Sequence, residues 1–312
     1  MDLAKVLGIF LVFFALNSQA DEYGVIRRVV VFPIQVPEEF IQASESAWWD
    51  VRERFTTNKR FLLASKYFMQ KKDVFQPRGS LTPADAIILG KLLDAHALVV
   101  TFMVKNTLKM VVYSGEDGSL FWRQQLALHQ SVRVSKQLSK AAVSLANDFI
   151  ASIPYQGVQI VDPIVGQSTF DENGKTYAKI EVGAKTKIAE GDQVQWVRLT
   201  RINLEPLFGE GGRLSVFAEG RVARLDGIHA IVELLRAKNV AQLNEGDLAR
   251  FPLELKHLKD ELAMEEELQR RIEPEFISSD IATLNSQRNK DRPLASSIAW
   301  ISGILAYLLL AF

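Results

Sequence analysis

The stretch Ala84 to Trp122, ADAIILGKLLDAHALVVTFMVKNTLKMVVYSGEDGSLFW, decides how this chain is read. Its first part carries apolar residues at helical spacing. Leu81-Thr82-Pro83-Ala84-Asp85 stands before it, with Thr82 placed to cap a helix and Pro83 at the first helical position. That helix runs to about Leu93 and delivers the chain into Ala97–Val104, a fully apolar run that predicts a buried strand. Leu108–Tyr113 and Leu120–His129 then form a hairpin around Gly115-Glu116-Asp117-Gly118, whose Asp-Gly pair is a turn signal.

Working outward, Val25–Ile34 is β-branched and bounded by Gly24 and Pro37, so it reads as a strand. From Glu38 to Asn58, Phe40, Ile41, Ala43, Ala47, Trp48, Val51 and Phe55 recur at three and four, which predicts an amphipathic helix. One of the adjacent Trp48 and Trp49 then faces the core. Phe61–Ser65 is a short strand, and Ser135–Ser152 a further amphipathic helix. Strands alternating with helices predict a mixed sheet with helices packed on it, residues 23–153 forming one α/β domain.

Ile153-Pro154-Tyr155-Gln156-Gly157 marks a junction. Beyond it, Val158–Val161, Tyr177–Val182, Gln193–Leu199, Leu214–Ala223 and Ala230–Leu235 have the spacing of a small β-barrel over 154–251. Glu190-Gly191-Asp192 and Glu245-Gly246-Asp247 echo each other, each leading into a strand. Carboxylates beside a glycine suit a metal or acid–base pair, but the repetition favours a structural turn closed by Asp. Gly209-Glu210-Gly211-Gly212 lacks the Lys-Ser/Thr of a phosphate cradle and reads as a flexible hairpin tip.

The Ala84–Trp122 string resembles the small α/β domain of bacterial envelope proteins of the TolB N-terminal/CsgG kind, through Gly90-Lys91, Ala97, Val99-Val100, Asp117-Gly118 and Trp122. With Ile153–Gly157, Ile180–Lys185 and Ile188 to Asp192, the order also resembles the flagellar H-ring assembly protein FlgT. That resemblance implies a docking domain followed by an SH3-like barrel, with no shared active site. The sequence departs from FlgT in lacking its N-terminal domain.

The ends are more apolar than the middle. Met1–Ala20 has the pattern of a secretory signal, with Lys5, an apolar run Val6–Leu16, and Ser18 and Ala20 before a cleavage point; an uncleaved anchor is the alternative. Leu294–Phe312 carries no charge, and nineteen residues at about 1.5 Å each match a bilayer's hydrocarbon core, which predicts a transmembrane helix. A GPI-type signal is the other reading of that end. Residues 252–273 read as a charged helical stalk, with Leu255, Leu258 and Leu262 as a thin stripe open to homo-oligomerisation, and 274–293 as a polar connector.

The fold class expected is therefore α+β: an α/β domain, an SH3-like barrel, a helical stalk and one C-terminal transmembrane helix. The balance of 37 basic and 37 acidic side chains argues against nucleic acid as partner. The absence of cysteine removes thiolate chemistry and, for an exported chain, favours a Gram-negative periplasm; an α-helical anchor favours the inner membrane, since outer-membrane spans are usually barrels. His96, His129, His229 and His257 lie far apart in sequence, and there is no nucleophile motif or dinucleotide fingerprint. No catalytic, cofactor-binding or metal residue is singled out. The function expected is a non-enzymatic interaction or scaffold protein of an envelope complex, the flagellar basal body being its most specific version. A secretion-pore component and a cell-wall hydrolase or its regulator remain the alternatives.

Overall fold

The computed structural model describes residues 25–57, 60–162, 166–183, 186–237, 243–264 and 267. The expected signal segment 1–20, the connector 274–293 and the expected transmembrane helix 294–312 lie outside the described residues.

The first lobe is a five-stranded sheet in the order β2-β1-β3-β4-β5. Its strands are β1 (Arg28–Val31), β2 (Leu62–Leu63), β3 (Ala97–Val104), β4 (Thr107–Ser114) and β5 (Leu120–Ala127). β1 runs parallel to both β2 and β3, and β3-β4-β5 is an antiparallel meander. Helix α1 (Ile41–Thr57) links β1 to β2; α2 (Lys66–Lys71) and α3 (Pro83–Leu93) link β2 to β3. One crossover goes left along the sheet and the next goes right. With a single handedness for both, their helices must cover opposite faces. They do: α1 packs with α4 (Val134–Ser152) over Val29, Val31, Ala97 and Val99, while α2 and α3 cover Val30, Phe32, Leu98 and Val100. Burial on both faces is why β1 and β3 are continuous apolar runs instead of alternating ones.

The helices form where their sequence demands. On α3, Thr82 accepts from the Asp85 N–H and Asp85 returns a bond to the Thr82 N–H, a complete capping box, with Pro83 following. On α1, Trp48 is buried and its indole donates to the Val31 carbonyl at 2.9 Å, whereas Trp49 is half exposed. On α4, Leu138, Ala142, Leu145, Phe149 and their neighbours bury one stripe. Helix α2 was not anticipated; its signal is Ser65, whose hydroxyl caps the Phe68 N–H.

The second lobe holds seven strands: β6 (Gly157–Ile160), β7 (Thr169–Glu172), β8 (Lys175–Glu181), β9 (Gln193–Arg201), β10 (Gly212–Asp226), β11 (His229–Ala237) and β12 (Leu248–Arg250). The pairing β8-β11-β10-β9-β12-β6 returns to β8 and closes a six-stranded barrel, with β7 attached outside on β8. Here the expected fold class is corrected. The SH3-like barrel is replaced by this six-stranded ring. The added ring member is β12, the three residues after the second Glu-Gly-Asp turn, which insert between β6 and β9.

The barrel interior is filled by Trp196, Phe251 and small or branched residues such as Ala178, Val194, Ala218 and Val232. Gly220 leaves the room: a side chain there would meet the Glu233 carbonyl, Val232 and the Trp196 ring. The indole of Trp196 donates to Gln159 Oε1 at 2.6 Å, and Gln159 Nε2 donates to the Ser168 carbonyl at 2.9 Å. Both side chains are wholly buried, so the polar atoms of one satisfy the other.

The stalk also needs correction. Among the described residues no helix is long and apolar enough to cross a membrane. The helical segment 252–264 begins against the body: Leu255 is buried and Leu258 packs on the core of the first lobe. Two members of the expected oligomerisation stripe are therefore covered by the chain's own surface.

Candidate functional site: the cleft between the lobes

Three links join the lobes. Val197, Leu199, Leu207 and Leu248 of the barrel belong to the same apolar cluster as Phe149, Ile153 and Tyr155. The connection between β9 and β10 folds over the outer edge of β5, its Leu207 and Phe208 N–H groups donating to the Leu120 and Phe121 carbonyls at 3.1 and 2.9 Å. Phe208 stacks on Phe121, and Arg201 donates to Ser119 Oγ and the Leu120 carbonyl. Gly211 makes this strap possible, since a side chain there would strike the Glu205 carbonyl. The segment read as a flexible tip is thus a hydrogen-bonded strap.

The third link is the chain entering β1. Ile26 N–H donates to the buried Tyr155 hydroxyl at 3.0 Å, Arg27 N–H donates to His96 Nδ1 at 3.0 Å, and the Arg27 guanidinium pairs with Glu181 on β8 at 2.8 Å. Burial pushes the Tyr155 phenol well above the ordinary tyrosine range. Burial first, and the Arg28 charge second, hold His96 below the usual histidine range, with Asp94 and Glu116 opposing. A neutral ring fits an Nδ1 that accepts a backbone N–H.

Beside that segment lies a cleft of about 400 Å³. Val25, Ile26, Phe121, Val158 and Ile160 give it an apolar lining. Arg27, His96 and Glu116 stand on the α/β side and Glu245 on the barrel side. Glu116 and Glu245 are exposed at its rim. A smaller cavity of about 60 Å³ flanks the same segment, lined by Arg60, Tyr155, Gln156 and Glu181 among others. Arg60 lies 3.9 Å from Glu254, and burial lowers its guanidinium while Glu254 raises it.

The motifs singled out in the sequence are placed differently. Gly191 and Gly246 both have φ +93°, and Asp192 and Asp247 each accept a backbone N–H three residues earlier at 2.8 Å, from Ala189 and Asn244. The two Glu-Gly-Asp segments are the same turn used twice. Among the described residues no group of three His, Asp or Glu is placed to hold a metal ion. Gly90 and Gly115 touch backbone to backbone, Gly118 (φ +71°) lies against Pro83, and Asp117 accepts from Ser119. The motif that carries the resemblance is accordingly a packing joint between α3 and the β4–β5 turn. The cleft was not visible in the sequence, because its walls come from five separated segments. Its nearest signals were Arg27 inside a β-branched run and His96 at a strand entrance.

No protein-family model matches the chain, and no curated protein matches it. Among solved structures it is similar to the C-terminal domain of LpoB from Escherichia coli, at 20% identity over 38% of this chain and 93% of that one, with a TM-score of 0.28. It is similar to the lipoprotein GNA1162 from Neisseria meningitidis, at 10% identity over 40% of this chain and 98% of that one, TM-score 0.27. With TolB from Acinetobacter baumannii it shares 9% identity over 68% of this chain and 59% of that one, TM-score 0.28.

Proposed function

We propose that this chain is a binding protein of the bacterial envelope, not an enzyme, and that it seats a segment of a partner protein in the cleft between its lobes. The observation that carries this is the cleft itself: Val25, Ile26, Phe121, Val158 and Ile160 beside the polar groups of Arg27, His96, Glu116 and Glu245, between lobes fixed by a shared core and by the strap over β5. Such a lining suits an apolar side chain from a partner, with the rim selecting its polar neighbours. The envelope address is supported by the leader-like Met1–Ala20, the absence of cysteine and the resemblance of Ala84–Trp122 to envelope docking domains. The flagellar version, in which the partner belongs to the basal body, is supported by the FlgT-like phrases between Ile153 and Asp192.

The test is photocrosslinking in cells from an unnatural residue at position 116, with position 226 on the β10–β11 turn as control. A discrete adduct from 116 that is absent from 226 and abolished by Glu245→Trp supports the reading. Adducts indifferent to Glu245→Trp, or none from 116, refute it.

A further inference from the structure

The chain as a whole is neutral, with 37 basic and 37 acidic side chains, yet one edge of the α/β lobe is not. Between Trp49 and Asp73 the described residues carry Arg52, Arg54, Arg60, Lys66, Lys71 and Lys72 against Asp50, Glu53 and Asp73, with Arg60 turned inward beside Glu254. The fold gathers this stretch at one place. It is the end of α1, then β2, then α2, and β2 is an outermost strand of its sheet. Lys71 and Lys72 are exposed, and Lys66 pairs with Glu45 at 3.1 Å.

Three large side chains in the same stretch stand out from the surface: Trp49 at 48%, Leu62 at 67% and Tyr67 at 73% exposed. The first of them is joined to the charges. The Lys66 ammonium and the Arg52 guanidinium each lie 5.8 Å from the Trp49 ring, and Arg52 donates to the Ala64 carbonyl at 2.8 Å. Exposed Trp and Tyr beside Arg and Lys is the composition of an interface anchor, not of an idle surface.

The backbone adds a direction. Leu62 and Ala64 donate to the Arg27 and Val29 carbonyls of β1, so in a parallel ladder the residue between them, Leu63, turns its N–H and C=O away from β1. That outward pair is what an added strand requires. A second copy of the chain would bring like charges onto this edge, and a lipid surface offers nothing that pairs in strand register.

We propose that the β2 edge is a docking site for an extended acidic segment of a partner protein, which adds as a strand beside Leu63. Its carboxylates meet Lys66, Lys71 and Lys72, and its apolar positions cover Leu62 and Tyr67. This site lies on β2, apart from the residues that line the cleft, and stands whether or not the cleft is occupied.

The experiment measures fluorescence anisotropy of a labelled short peptide of alternating Glu and Val on the full chain at low salt. Controls are the Lys/Val peptide and the Glu/Val peptide N-methylated at alternate backbone positions. The expected result is binding of the acidic peptide only, weakened about tenfold or more by the combined Lys66→Glu, Lys71→Glu and Lys72→Glu exchange, and abolished by N-methylation. Near-ultraviolet circular dichroism confirms that the three exchanges leave the fold intact. Equal binding of both charge types, or indifference to the lysine reversal, overturns the site. Undiminished binding of the N-methylated peptide overturns strand addition. Capture of phosphatidylglycerol vesicles without peptide binding assigns the patch to lipid instead. Concentration-dependent dimers lost on Leu62→Arg, again without peptide binding, assign it to a second copy. Crosslinking from position 116 is expected to be unchanged in the lysine variant, which separates failure here from failure of the cleft reading.

Discussion

The bond between Trp196 and Gln159 lends itself to a measured test. Both side chains are fully buried inside the barrel, and the indole N–H to Oε1 distance is 2.6 Å. Trp196→Phe removes the donor and strands Gln159 Oε1, at about 1–3 kcal/mol. The lost ring volume adds about 1 kcal/mol, since the close fit around Gly220 leaves little room to collapse. The total is about 2–4 kcal/mol. Gln159→Leu strands the indole N–H and the Ser168 carbonyl instead, at a similar cost. In the double variant neither partner remains to be stranded, so the two effects should fall short of additivity by about 1–2 kcal/mol. Urea unfolding followed by far-ultraviolet circular dichroism reads each value from the midpoint, provided the slope is unchanged. Additivity within about 0.5 kcal/mol would refute the claim that this pair is what makes the barrel's polar interior tolerable.

Three further outcomes follow from the joints between elements. Gly90→Ala drives a methyl into the Gly115 carbonyl, and the α3 joint should lose about 3 kcal/mol by the same denaturation assay. Tyr155→Phe leaves the Ile26 N–H without its acceptor and should cost about 1–2 kcal/mol. Because the Tyr155 phenol is raised in the fold, its contribution is complete below pH 10 and lost above it, so the variant should also show a shallower alkaline decline. His96 is depressed below its ordinary 6.5, so the unfolded chain takes up its proton first as pH falls. Stability should therefore drop below about pH 6.5 in the native chain more steeply than in His96→Gln, measured as the unfolding midpoint from pH 7.5 to 5.

How far the sequence could be read depended on the length of each signal. The α/β lobe was legible because Ala97–Val104 and the Thr82 cap are long, local patterns, and the five longer runs of the barrel appeared for the same reason. Its closure did not. β12 is three residues long, and the β8–β11 pairing joins strands far apart in sequence, so neither leaves a periodicity. The Glu-Gly-Asp turns were legible as turns because two copies shared one backbone demand. The cleft was hidden for the opposite reason: Arg27, His96, Glu116 and Glu245 are ordinary in their own neighbourhoods and meet only after both lobes have formed.

The place of β12 also sets an order of assembly. Among the described residues it is the last strand, yet it sits between β6, the first of the barrel, and β9. Until Leu248–Arg250 leave the ribosome, β6 and β9 each carry a bare flank, and the ring is an open ribbon liable to pair with its neighbours. The α/β sheet has no such wait, since all its strands are complete by Ala127. A nascent chain or truncation ending before Leu248 thus pairs a complete α/β sheet with an open, adhesive barrel ribbon, and it also lacks Leu248 from the core the lobes share.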